Sequence, residues 1–294
     1  MKNKFFEYEE HQIASWQEFD NFYSKSSICV YRGQGYARWK LKTGYERMKK
    51  VLNPMREQEM LRRFISQAGI YERNLPENSD FVSWFSLMQH YGTGTRLLDV
   101  TRSKYIALFF AIMGLYEIKA DACAVWVFET LASDMNFYNL ILKDEVSGCV
   151  DTREVPLATP LKEYKELGWR FANKFICSDW EMGVSTKGDD DYVEKYKDRM
   201  MPFLNDGGVI RVVPQIQNKR MVAQAAEFLM PCTLRKSFMD NLSNKGNGCN
   251  PKVVKLIISR DIASECVKKL MEMNITWQTM YPDINGLAKE MNLI

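Results

Sequence analysis

Between Ser103 and Leu115 the chain reads Ser-Lys-Tyr-Ile-Ala-Leu-Phe-Phe-Ala-Ile-Met-Gly-Leu, and a helix of that composition is apolar on nearly every side. Such a helix has to be enclosed by protein, because it has no face to offer water. At roughly two-thirds of the ~20 residues that a bilayer demands, it reads as a buried central helix capped by Ser103. A few residues later, Ala122-Cys123-Ala124-Val125-Trp126-Val127-Phe128 is an unbroken apolar run of strand length, the pattern of a strand covered on both faces. A buried helix beside a doubly covered strand commits the chain to a mixed α/β core, to which Trp84 and Trp126 are also assigned.

The rest of the pattern supplies the outer layers. Ile13, Trp16, Phe19 and Tyr23 recur at spacings of three and four, predicting an amphipathic helix over 12–24. Ser27-Ile28-Cys29-Val30-Tyr31 switches to a strand that delivers Arg32-Gly33-Gln34 at its end. Helices follow from Pro54 to about Tyr71 and from Asp80 to His90, the second stopping near Gly92. Thr93 to Asp99 is a glycine-containing turn. Strands at Val209–Pro214 and Lys252–Ile258 and a closing helix at Asp261–Met273 complete the outline. Residues 130–205 fit no single pattern and read as an insertion or substrate-facing subdomain. The expected fold class is α+β, one mixed domain over 1–294.

Composition excludes several functions. Hydrophobic residues at 46% and charged residues at 26% describe a folded chain, not a disordered one. Forty basic against 37 acidic side chains leave +3, too little to draw the whole molecule to nucleic acid or an anionic membrane. Seven cysteines without a C-x-x-C pair read as buried thiols in a reducing compartment, with no metal site. The N-terminus turns acidic at once and no run approaches membrane length, so a cytoplasmic location is expected. With only His11 and His90, acid–base work falls to Glu, Asp or Tyr.

Arg32 leaves an apolar strand just before Gly33, where backbone can approach a ligand closely, and its planar fork suits a phosphate or carboxylate. Pairing with an internal acid such as Asp99 explains it equally well. For Arg96 and Asp99 a buried ion pair that fixes the loop is favoured over direct catalysis. His90 either meets a ligand or ends its helix, and its position beside Tyr91 before a glycine turn favours the ligand.

Tyr31-Arg32-Gly33-Gln34, the run Gln89-His90-Tyr91-Gly92-Thr93-Gly94-Thr95-Arg96-Leu97-Leu98-Asp99-Val100-Thr101, and Ala107-Leu108-Phe109-Phe110-Ala111 together resemble the FRG domain. The likeness extends to Gln224-Ala225-Ala226-Glu227-Phe228 and to Tyr281–Ala288, spanning about 28–290. The Arg32 strand is also similar to the first motif of ADP-ribosyltransferases, and Gln224–Leu229 resembles the Gln-Ala-Glu-Phe-Leu element of DNA-targeting toxins of that class, with one extra Ala. The resemblance implies ADP-ribosyltransferase-like central sheets flanked by helices, NAD as substrate, and no metal. It implies Arg32 and Glu227 as catalytic residues, with Tyr31, Gly33, Gln34, His90, Tyr91, Thr95, Gln224 and Phe228 around the NAD. The chemistry is consistent: cleaving the nicotinamide bond develops positive charge on the ribose, which a carboxylate stabilises. Read without the resemblance, Glu227 is a solvated acid at a strand start.

The leading expectation is therefore a bacterial toxin or anti-phage effector that transfers ADP-ribose to a macromolecule and has an antitoxin or regulatory partner. Nucleic acid is one acceptor class, with Arg211, Lys219, Arg220, Arg235 and Lys236 as phosphate contacts, although these residues equally fit a solvated face. The competing readings are a non-catalytic module that binds a nucleotide or phosphorylated partner, and an NAD glycohydrolase.

Overall fold

A computed structural model describes residues 8–22, 29–48, 51–129, 172–180, 207–243 and 252–292. Seven strands form one mixed sheet: β1 (Glu9–Ile13), β2 (Cys29–Gln34), β3 (Leu98–Thr101), β4 (Ala122–Glu129), β5 (Val209–Val212), β6 (Ala226–Pro231) and β7 (Lys252–Ser259). Their order is β1-β7-β4-β2-β3-β6-β5, parallel between β1 and β7 and antiparallel at every other pairing. The helices are α1 (Trp16–Asn21), α2 (Gly44–Met48), α3 (Pro54–Ala68), α4 (Phe81–His90), α5 (Lys104–Ile118), α6 (172–179), α7 (Lys219–Ala223), α8 (Phe238–Leu242), α9 (Ala263–Glu272), α10 (Trp277–Met280) and α11 (Ile284–Met291). The fold is α+β, as expected.

Strand alternation sorts the core into three clusters. On one face, Val30, Val100, Trp126, Phe128, Leu229 and Val253 pack with Leu41 and with Phe238 and Leu242 of α8. On the other face, the β4–β7 half carries α5 and α9 through Val125, Val127, Leu256 and Ile258. The β6–β5 half carries α3, α4 and α6 through Phe228, Met230 and Val212. α5 is the enclosed helix its sequence requires, with Ile106, Leu108, Phe109, Ile112 and Leu115 all buried. The Ser103 hydroxyl accepts from the Ile106 N–H at its start.

The sheet is weakest in its middle. β2 and β4 share six register pairs, whereas β2 and β3 share one, Tyr31 with Thr101. The two halves of the sheet meet at that joint and part beyond it.

Three boundaries differ from expectation. Ile13 ends β1, opposite Ile258, and is not part of a helix. The helix begins at Trp16 because Ser15 accepts from the Glu18 N–H while the Glu18 carboxylate accepts from the Ala14 N–H, closing a capping arrangement. Arg32 lies inside β2, not at its end. The insertion expected over 130–205 lies outside the described residues except at 172–180, where α6 docks on α3 and α4. Five free cysteines are described; Cys123, Cys177, Cys232 and Cys266 are buried, and burial pushes Cys123 up to about 12 and Cys266 up to about 11. Among the described residues no helix is long and apolar enough to cross a membrane.

Candidate functional site

Where β2 and β3 part, the Arg32 guanidinium reaches across to β3: Nη1 donates to the Asp99 carbonyl at 2.6 Å and lies 3.7 Å from Asp99 Oδ2. Arg32 Nε is buried and has no hydrogen-bond partner. Burial pushes the guanidinium below its ordinary range; Asp99 works the other way, and the nearby charge of Arg47 adds to the push. A second guanidinium beside a half-hidden first one is an arrangement that an anion relieves.

Asp99 also accepts from Gln89 Nε2 at 2.7 Å, and Gln89 Oε1 accepts from the Thr95 hydroxyl. A polar chain thus runs from Thr95 through Gln89 and Asp99 to Arg32, tying the end of α4 to the sheet joint. Arg32 meets Asp99, as one of the two sequence readings held. The expected Arg96–Asp99 pair does not form. Arg96 is fully buried on the opposite side of its loop, where it donates to both oxygens of Glu57 and, at 3.1 Å, to Asp179.

Glu227 enters from β6 opposite Val100. With Tyr31 opposite Thr101, alternation places Arg32, Val100 and Glu227 on one face. β3 lies between the strands that carry Arg32 and Glu227, so at least two strand spacings, about 10 Å or more, separate their backbones. Glu227 is 5% exposed, so it is not the solvated acid of the simpler reading. Arg211 grips both carboxylate oxygens, and Arg102 Nε stands 3.4 Å away with its own side chain 62% exposed.

Most of the other expected NAD contacts are committed elsewhere. Tyr31 points to the opposite face from Arg32 and packs beside α5, where burial pushes its phenol up. Gly33 is required by that helix, since a Cβ would lie 2.0 Å from the Ala107 carbonyl oxygen; its closest neighbour is protein, not ligand. Gln34 accepts from Trp126 Nε1 at 2.7 Å. Thr95 is 1% exposed, and Phe228, 4% exposed, packs in the α3/α4 core. Gln224 ends α7 and donates to the Met280 carbonyl at 2.9 Å. Ala225, the extra residue, takes a positive φ of 44° that turns the chain from α7 into β6.

His90 and Tyr91 remain exposed at the end of α4. The His90 ring lies 3.3 Å from Asn218 Nδ2, and the Tyr91 hydroxyl donates to Glu72. Three of the five basic residues have protein partners: Arg211 holds Glu227, Arg220 donates to the Tyr281 hydroxyl, and Arg235 reaches Asp179. Sequence reasoning missed Gln89, Arg47 and Arg102. The first lay inside the motif run; the other two carry no local signal, since their neighbours come from distant strands.

Residues 27–117 match the family model of the FRG domain. The match covers Arg32, the α4 end, the Asp99 loop and α5, and stops short of Glu227. No curated protein and no solved structure matches the chain.

Proposed function

From the premise that the chain carries an FRG domain, we propose that it is an NAD-dependent ADP-ribosyltransferase whose site straddles the β2–β3 joint. One observation carries this reading: Arg32 and Glu227 leave the same face of the sheet on either side of the joint, with β3 between their strands. Arg32, with Nε unpartnered and Arg47 near it, anchors phosphate. Arg211 holds the Glu227 carboxylate in a fixed direction. Arg102, solvent-exposed and only loosely placed, moves from Glu227 to the substrate phosphates. The bond between nicotinamide and ribose C1′ breaks, nicotinamide leaves with the electron pair, and Glu227 stabilises the cationic ribose. The acceptor bonds to C1′ and gives its proton to the same carboxylate. The acceptor is a macromolecule, with nucleic acid the class suggested by the Gln224–Leu229 resemblance; a toxin or defence role in bacteria belongs to the same proposal.

A second reading, a non-catalytic nucleotide-binding module, has its own support: a carboxylate held by two guanidiniums serves a sheet as well as a substrate. The two separate in one experiment. The protein, Arg32→Ala and Glu227→Gln are incubated with labelled NAD and cell lysate, and label in the protein and nucleic-acid fractions and free nicotinamide are measured. The transferase reading expects label in one fraction, and its loss by at least about 100-fold in Glu227→Gln, the scale of a general-base contribution. Retained NAD binding in both the protein and Glu227→Gln, lost only in Arg32→Ala, with no nicotinamide released by any, would leave the binding module.

A further inference from the structure

Away from the sheet joint, the ends of α3 and α4 converge on a cavity of about 680 Å³, within the range that holds a small organic molecule. Its floor is Met60, Phe64, Leu87 and Met88. Two tyrosines rise beside it: Tyr71 is 84% exposed and Tyr91 59%. Glu72 stands between them.

The electrostatics of this cavity share one sign. Both helices turn their C-terminal ends toward it, and the carbonyl end of a helix carries partial negative charge. The last turn of α3 holds no basic residue, and that of α4 holds only His90. Glu72 accepts from the N–H groups of Asn74 and Arg73 and from the Tyr91 hydroxyl, which hold its carboxyl below the usual range. Arg63, the one basic residue in the lining, is bound to Glu59 at 2.6 Å. Among the described residues no Lys or Arg pairs with Glu72. An apolar floor, two aromatic faces and a carboxylate with no Lys or Arg partner among the described residues are the elements that recognise an organic cation.

We propose that this cavity is a binding site for a small organic cation, an ammonium or guanidinium group carried on an apolar or aromatic body. The body lies on Met60, Phe64 and Leu87, and the charge meets Glu72 between the rings of Tyr71 and Tyr91. This site stands apart from the NAD reading and does not depend on it.

Isothermal titration of the full chain with 2-phenylethylammonium and with 2-phenylethanol, which has the same body without the charge, tests it. The ammonium is expected to saturate in the millimolar range and to bind about fivefold tighter than the alcohol, the worth of one exposed charge pair. In Glu72→Gln that preference disappears. Tyr71→Ala, which removes an exposed ring and so leaves the fold intact, weakens the ammonium by about two- to fivefold, whereas Tyr91→Phe retains its affinity. Equal binding of alcohol and ammonium, or a preference that survives Glu72→Gln, overturns the proposal. So does saturation by an arginine-bearing apolar peptide where the small ammonium fails, because the occupant is then a protein.

Discussion

Replacing Arg96 by Met removes a charge that two acids share. The guanidinium is 0% exposed and donates to both Glu57 oxygens and to Asp179. Its side chain is the bridge between the β3 loop, α3 and α6. Methionine keeps the stem's packing and takes away every donor. Asp179 retains the Thr233 hydroxyl at 2.8 Å, the Leu234 N–H at 2.8 Å and Arg235 at 3.7 Å. Glu57 keeps only Trp180 Nε1, at 3.2 Å, among the described side chains. The loss therefore falls on Glu57, and breaking a buried pair by removing one partner costs about 3–5 kcal/mol. Against a total of about 5–15 kcal/mol for an ordinary domain, that is roughly a fifth or more of the stability. Adding Glu57→Gln to Arg96→Met removes the stranded charge and is expected to recover about 1–2 kcal/mol. Asp99→Asn, by contrast, stays within about 1 kcal/mol of the parent because the Asp99 side chain is 57% exposed and its carbonyl bond to Arg32 is kept. Urea unfolding followed by tryptophan fluorescence measures all of these, with a constant m-value as the check that midpoint shifts report stability. An Arg96→Met protein within about 1 kcal/mol of the parent, or a double variant no more stable than the single, would refute the assignment of Arg96 as the hub.

Gly33→Ala places a methyl 2.0 Å from the Ala107 carbonyl oxygen and 2.7 Å from the Ala111 nitrogen, so α5 must shift; a loss of about 1–3 kcal/mol or more is expected in the same urea assay, and an unchanged midpoint would contradict the close strand–helix crossing. Ser15→Ala removes the cap of α1 and should cost about 1 kcal/mol, read as a lower midpoint by calorimetry. The Glu72 carboxyl, held down first by the Asn74 and Arg73 N–H groups and then by Tyr91, should titrate below ordinary glutamates in a carbon-detected NMR titration, and Tyr91→Phe should move it upward. Because its folded value lies below the unfolded one, its contribution is present above the ordinary glutamate range and is lost as pH falls through the folded value; a Glu72 that titrates with exposed glutamates would show that these hydrogen bonds do not persist in solution.

What could be read in advance was whatever neighbouring residues decide. α5 was legible because a helix apolar on all sides has one fate, and β4 because a seven-residue apolar run cannot face water. Asp80, Ser103 and Asn53 mark helix starts through bonds that reach at most three residues. Ser15 and Glu18 carried the same kind of signal, and the stripe of Ile13, Trp16 and Phe19 masked it: Ile13 is apolar because β7 covers it, not because it shares a helix face. The site was harder for the opposite reason. Arg96 meets partners 39 and 83 positions away, so a nearer acid, Asp99, drew the pairing by proximity in sequence. Tyr31 and Arg32 are adjacent in a motif, yet a strand sends neighbours to opposite faces, and a motif read as a unit was split by the sheet that carries it. Glu227 shows the same limit from the other side. Its partner Arg211 was visible as a basic residue, but only the β5–β6 register turns that residue from a phosphate contact into the group that orients an acid. A carboxylate pinned in this way gains a fixed direction, and Arg102, 62% exposed, is the guanidinium at Glu227 that the proposed reaction moves to the substrate. Arg102→Ala should therefore lower any NAD turnover without lowering stability, since its side chain is 62% exposed, and turnover unaffected by that change would assign Arg102 to the surface alone.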